Sequence, residues 1–218
     1  MKFMKTLAAS AVTMAFVAAA PIASAESVSL HFTGMHQSLG ATVDGVGTAA
    51  GSQQWNTTSG PSILGAAYDS FLAWCVELSQ HVNAGADYNN YDVNVKTDGW
   101  AHQLAALFTM HAAQVVDNAS AAAMQLAIWN ITQPGYTLSG AAAAAATTAA
   151  SWVADSASFT GPLGYQVVYL DSKTNQDLVT FQSISEVPLP GAALLFLSAL
   201  GLGGLARRKQ AVQAPAAA

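Results

Sequence analysis

The sequence predicts an α+β fold: a β-rich domain, sandwich or barrel-like, with two or three helices inserted between early and late strands. Three observations predict it. Period-two alternation of polar and apolar residues marks 26–32 near the start and 164–170 and 178–184 towards the end. Between them, apolar residues recur at helical spacing from Trp100 onward. Cap and stop residues flank the helical stretches at the right distances. Residues 26–184 form the body of the 218-residue chain, a length suited to one domain with one core.

Taken in order, 26–32 (ESVSLHF) is the first strand. Residues 34–60 are rich in Gly, Ser and Thr and read as loops or short sandwich strands. Residues 70–78 (SFLAWCVEL) form the strongest strand, apolar on both faces apart from Glu77, as an interior strand should be. A polar loop over 83–90 precedes a short strand over 91–95. Asp98 can cap a first helix that runs to about Val116. Its buried stripe is Trp100, Leu104, Leu107, Phe108, His111 and Val115. Asn118 or Ser120 can cap a second helix, and Gln133-Pro134-Gly135 stops it near Thr132. The alanine-rich stretch 141–154 is a third helix or a low-complexity segment. Two late strands, 164–170 and 178–184, are joined by the polar turn 171–177.

Composition excludes several functions. Charged residues are 9% of the chain, against about 25% in typical soluble domains. The formal charge is −5, from 7 Lys and Arg and 12 Asp and Glu. Lys2, Lys5, Arg207, Arg208 and Lys209 lie at the two ends, so the body keeps Lys96 and Lys173 alone among its many carboxylates. Such a surface does not grip phosphates, and nucleic acid is excluded as a partner. A single cysteine supports neither a disulfide framework nor a Cys-rich metal site. His31, His36, His81, His102 and His111 form no close-spaced ligand motif, and Asp87, Asp92 and Asp98 lack the EF-hand order. No metal and no cofactor are expected. Neither a Gly-x-Ser-x-Gly elbow nor a phosphate loop is present.

The ends carry addresses. Residues 1–25 read as a secretory signal peptide, with Lys2 and Lys5 as its basic region and 7–20 as its apolar stretch. Ala23-Ser24-Ala25 offers the small residues of a cleavage site, so that the mature chain starts at Glu26. At the other end, Val187-Pro188-Leu189-Pro190 overlaps a linker over 185–189 and leads into an apolar helix over 191–206. That helix would be about 24 Å long, slightly short for a bilayer core of about 30 Å. Arg207-Arg208-Lys209 would hold its end on the cytoplasmic side, and 210–218 is a tail. Residues 187–209 resemble a PEP-CTERM sorting signal, in the variant with Leu189 where Glu is more common; the tail after the arginines is a departure. The resemblance implies processing by signal peptidase and by an exosortase, a membrane cysteine protease that cuts near the proline motif. It implies export from a Gram-negative, exopolysaccharide-making cell, a transient inner-membrane anchor, and a final place at the cell surface or in the extracellular matrix.

Within the body, Cys75 and Gln125 need explaining. An unpaired thiol in an exported protein is open to oxidation unless it is buried as a small hydrophobe. On its strand Cys75 shares a face with Phe71 and Ala73. Gln125 lies among Ala121, Ala122, Ile128 and Trp129 on the apolar face of the second helix, where an amide without partners costs about 1–3 kcal/mol. Trp74-Cys75-Val76 and the downstream Met124-Gln125-Leu126-Ala127-Ile128-Trp129 together resemble the bacterial thioester domain. In that family the cysteine sulfur attacks the glutamine carboxamide, ammonia leaves, and the thioester later acylates an amine on a neighbouring surface. Carried over by motif, Cys75 and Gln125 form the bond, and Trp74 and Trp129 shield it from water. His111, at the edge of its helical stripe, is either a proton carrier or a packed residue.

The resulting expectation is an exported protein that attaches covalently to an amine-bearing partner, acts once per molecule and is not a turnover enzyme. Two alternatives remain open on the residues. One is a non-covalent structural component of exopolysaccharide or biofilm matrix with the same fold, Gln125 then bonding to strand backbone. The other, more distant, is a secreted hydrolase using Cys75.

Overall fold

The structure, a computed structural model, describes residues 26–64, 70–97 and 99–184. The signal peptide with Ala23 and Ala25, the cap residue Asp98, the linker, the whole sorting signal from Val187 to Lys209 and the tail lie outside the described residues. Among the described residues, seven antiparallel strands and three α-helices make an α+β fold, with the helices between the fourth and sixth strands.

The described residues start with a long hairpin, β1 (Glu26–Val43) and β2 (Val46–Ser59). The two-residue turn between Val43 and Val46 is Asp44-Gly45, with φ of 49° and 82°. That is the Asp-Gly pair of a primed turn, whose twist matches the flanking strands. The segment expected as loops or short strands over 34–60 is therefore the far half of β1 and all of β2; its glycines serve turn and close approach. A Cβ at Gly51 would lie 2.0 Å from the Gln37 carbonyl oxygen, so a side chain there does not fit. Three register shifts bend the hairpin.

β3 (Ser70–Cys75) is shorter than the expected 70–78, and β4 (Asp87–Lys96) longer than 91–95, absorbing the end of the expected loop. β6 (Tyr165–Asp171) and β7 (Leu178–Ser183) follow the helices, and β5 (Leu138–Ser139) is a two-residue strand against the end of β1. Hydrogen-bonded pairing runs β1 to β2 to β3 to β7 to β6 to β4 and back to β1, so six strands close on themselves. Closure removes most of the unpaired edge that a sheet of this size would expose.

Period-two alternation then gives the ring two apolar faces. Leu30, Phe32, Trp55, Phe71, Tyr91 and Leu170 are among the side chains that fill its inside. Trp74, Val167, Val179 and Phe181 point outwards into the helical layer. Phe108 stacks on Phe181 at 3.9 Å and meets Trp74 edge-on at 5.4 Å, seating α1 (Trp100–His111) on β3 and β7. α1 follows Gly99 without a side-chain cap and ends at His111, five residues before the expected end near Val116; a 3₁₀ turn over Ala112–Gln114 takes up most of the rest.

α2 (Asn118–Thr132) is the central helix. Residues 121–129 are all buried, which a helix achieves only when covered on every side. Its cap is Asp117, ahead of both expected candidates, Asn118 and Ser120: the Asp117 carboxylate accepts from the Ser120 N–H at 2.8 Å, and the Asp117 N–H donates to the Ser120 hydroxyl. The alanine-rich stretch splits into a 3₁₀ turn over Ala141–Ala145 and α3 (Ala146–Ala157). Ala142, Ala145 and Ala149 are buried with Ala122, Ala123 and Ala127, so small side chains let these helices approach closely. Among the described residues, no helix is long and apolar enough to cross a membrane.

Candidate functional site

Cys75 is the last residue of β3, where that strand loses a neighbour. The β2–β3 ladder ends at Gln53 opposite Ala73. Beyond it, the backbone of Cys75 has no strand partner on that edge, and α2 supplies one. The Cys75 N–H donates to Gln125 Oε1 at 3.0 Å, and Gln125 Nε2 donates to the Cys75 carbonyl at 2.8 Å. The carboxamide thus takes both backbone polar groups of Cys75, as a β-bridge residue would. The end of the same helix and its C-cap residue continue the clasp: Thr132 Oγ1 donates to the Val76 carbonyl at 2.8 Å, and the Leu78 N–H donates to Gln133 Oε1 at 3.2 Å. Gln125 is fully buried, so both bonds lie out of reach of competing water.

The sulfur faces another way. Cys75 Sγ accepts from Gln53 Nε2 at 2.9 Å. Gln53 Oε1 in turn accepts from the Trp55 indole N–H at 3.0 Å. An indole nitrogen only donates, so this bond fixes the amide with its NH₂ towards the sulfur. Gln53 Nε2 also reaches Gln176 Oε1 at 3.5 Å, and Gln176 Nε2 donates to the Gln80 carbonyl at 2.9 Å. Burial pushes the Cys75 thiol up to about 12, while the Gln53 hydrogen bond pulls in the opposite direction and Glu77 adds to the rise.

Cys75 is 4% exposed, yet it lines a cavity of about 340 Å³ together with Gln53, Gln176, His81, Phe32 and Val82. His81 is an exposed residue at its edge. A smaller cleft shares Thr48, His81 and Gln176 with this cavity and is lined by Trp129 and Glu77.

The structure brings Cys75 and Gln125 into direct contact and sets Trp129 beside the adjoining cleft, its ring meeting Tyr136 edge-on at 6.1 Å. Trp74 packs between Phe108 and Phe181, on the helix side of β3, and is not a wall of the cavity that Cys75 lines. His111 is not near the pair: it stacks on Trp152 at 4.8 Å, between α1 and α3, with Nε2 3.5 Å from Asp155. Burial lowers its affinity for a proton. His31 pairs with Asp87 at 2.7 Å. Among the described residues, no three His, Cys, Asp or Glu side chains come together as metal ligands. Gln53, Trp55 and Gln176 are the site residues that the sequence reading missed. The signal for two of them was present: Gln53 and Trp55 share one face of a strand, but that strand was not assigned.

No protein-family model, no curated protein and no solved structure matches this chain.

Proposed function

We propose that the chain is an exported cell-surface or matrix protein that couples covalently, once per molecule, to an amine-bearing partner through a Cys75–Gln125 thioester. One observation carries the reading. A buried carboxamide on α2 is clamped against Cys75 with its carbonyl oxygen on the Cys75 N–H. The proposed chemistry starts from that contact, with the sulfur turning from Gln53 to the carboxamide. The sulfur attacks Gln125 Cδ, and negative charge develops on Oε1, where the Cys75 N–H already points. The Cδ–Nε2 bond breaks, and the nitrogen leaves as ammonia with the thiol proton. In the transfer step an amine enters through the cavity beside Cys75 and attacks Cδ. A substituted amide forms at Gln125 and the Cys75 thiol returns. The route to the surface rests on the resemblance of residues 1–25 to a signal peptide and of 187–209 to an exosortase-processed sorting signal.

A second reading has its own observation. The two hydrogen bonds of Gln125 satisfy its amide without any covalent step, as in a structural matrix component held by ordinary contacts. A hydrolase gains least support, because the side chain hydrogen-bonded to Cys75 Sγ is the Gln53 amide and not a histidine that could take the thiol proton.

Intact mass of the purified mature protein, with and without methylamine, separates the first two readings. The thioester predicts a deficit of one ammonia, converted to a methylamine adduct, and neither change in Cys75→Ala. A full unmodified mass with one titratable thiol, in protein never exposed to amines, refutes the thioester and leaves the non-covalent matrix role.

A further inference from the structure

We propose that Gln53, held in orientation by Trp55, is the catalytic residue that carries the sulfur's charge when the Cys75–Gln125 bond forms and when it opens. The inference rests on the thioester reading and assigns a group to the half of the reaction that the Gln125 clasp leaves unattended. In the clasp, the Cys75 N–H serves the carboxamide oxygen. Nothing in it serves the sulfur, which is the attacking atom in the first step and the leaving atom in the second.

Gln53 fits that role on three counts. Its Nε2 lies 2.9 Å from Cys75 Sγ, within hydrogen-bond reach of a sulfur acceptor. It is 3% exposed, so the donor acts where water does not screen it. Its orientation is not free: the Trp55 N–H holds Oε1, and Trp55 is itself immobilised by stacking on Phe32 at 4.7 Å. A thiol is a weak acceptor and a thiolate a strong one, so this bond strengthens as charge develops on sulfur. An interaction stronger in the transition state than in the ground state accelerates the step. The charge balance is local. On attack the thiol proton leaves with ammonia; on opening, the sulfur departs as thiolate, held by Gln53, and takes the proton released by the incoming amine. Glu77 and the Tyr91 phenol are the titratable groups that act electrostatically on or with the thiol, and both sit unfavourably for a second negative charge. His81 lines the same cavity from its exposed edge, and Gln53 is the side chain hydrogen-bonded to the sulfur.

The test uses Gln53→Met and Gln53→Glu in the full-length protein. Methionine has similar length and no donor. Glutamate keeps the acceptor for Trp55 and, when ionised, returns no N–H to the sulfur. Two rates are measured. One is methylamine opening, followed by mass and thiol release. The other is alkylation of the free Cys75 thiol by iodoacetamide across pH, in methylamine-opened protein or, where the thioester is absent, in protein as purified. The expected result is about a tenfold slowing of both, equivalent to about one unit in the thiolate equilibrium. Circular dichroism confirms folding, and if one variant fails to fold the other carries the test. Rates within twofold of wild type, with an unchanged alkylation profile, overturn the role of Gln53 and leave the thioester standing. A full wild-type mass overturns the thioester, and the alkylation profile then still reads whether Gln53 stabilises the thiolate.

Discussion

Replacing Gln125 by leucine should cost the fold more than most core substitutions, and the size follows from the clasp. The side chain is fully buried and of similar volume to leucine, so packing changes little. What changes is hydrogen bonding. The Cys75 N–H at 3.0 Å and its carbonyl at 2.8 Å both lose their partner, and β2 no longer runs beside this edge. A buried backbone group left without a partner costs about 1–3 kcal/mol, so the pair together costs about 2–6 kcal/mol. Against a total stability of about 5–15 kcal/mol, that is a large share. The measurement belongs in a Cys75→Ala background, where a covalent bond is impossible and both backbone groups persist. Urea unfolding of Cys75→Ala and of Cys75→Ala with Gln125→Leu then reads the clasp alone. A difference below about 1 kcal/mol would mean that the orphaned groups find other partners, and the account of Gln125 as a stand-in strand would fail.

On the proposed thioester reading, opening with methylamine should lower stability by about 4 kcal/mol, because that bond would span 50 residues and its loss would free the loop in the unfolded chain; unfolding curves of treated and untreated protein, with Cys75→Ala as the insensitive control, check it. Gly51→Ala should cost about 1–3 kcal/mol, since the new Cβ meets the Gln37 carbonyl at 2.0 Å and the hairpin must move; an unchanged melting temperature would refute this. In protein with a free Cys75 thiol, alkaline stability should decline from about pH 9 towards 12. The unfolded thiol ionises near 9.0 and the folded one near 12, so the folded state holds the proton longer and stability drains away as pH rises through that window. Denaturation midpoints across that range should fall less steeply in Cys75→Ala.

Much of the helical half was legible because its signals are local. The stripe from Trp100 to His111 and the Pro134-Gly135 stop place α1 and α2 within a few residues. The late strands β6 and β7 were legible for the same reason, as clean alternation. The β1–β2 hairpin was not, because Gly, Ser, Thr and Gln occupy strand positions there for reasons set by distant partners. Gly51 is demanded by the approach of Gln37, and Gln53 by a sulfur and an indole. Asp44-Gly45 was the local clue to that hairpin. At the site, the adjacency of Cys75 and Gln125 came from motif resemblance. The form of their contact, amide to backbone, depends on where β2 leaves β3, which no spacing in the sequence encodes.

That form of contact separates what the fold requires from what the chemistry requires. Every residue type except proline offers at position 75 the N–H and carbonyl that Gln125 holds, so an interrupted strand accounts for the two hydrogen bonds of the glutamine whatever side chain stands at 75. It does not account for the cysteine. Alanine or valine would fill the end of β3 equally well as a hydrophobe, yet the side chain present is a sulfur with an oriented amide donor at 2.9 Å and a cavity beside it. An oriented donor and an approach path are what a sulfur needs in order to react, and packing alone calls for neither. The two substitutions therefore divide the question. Gln125→Leu damages the fold whichever reading is right. Cys75→Ala leaves the clasp intact, so a loss of covalent adducts without loss of folding attributes the function to the sulfur.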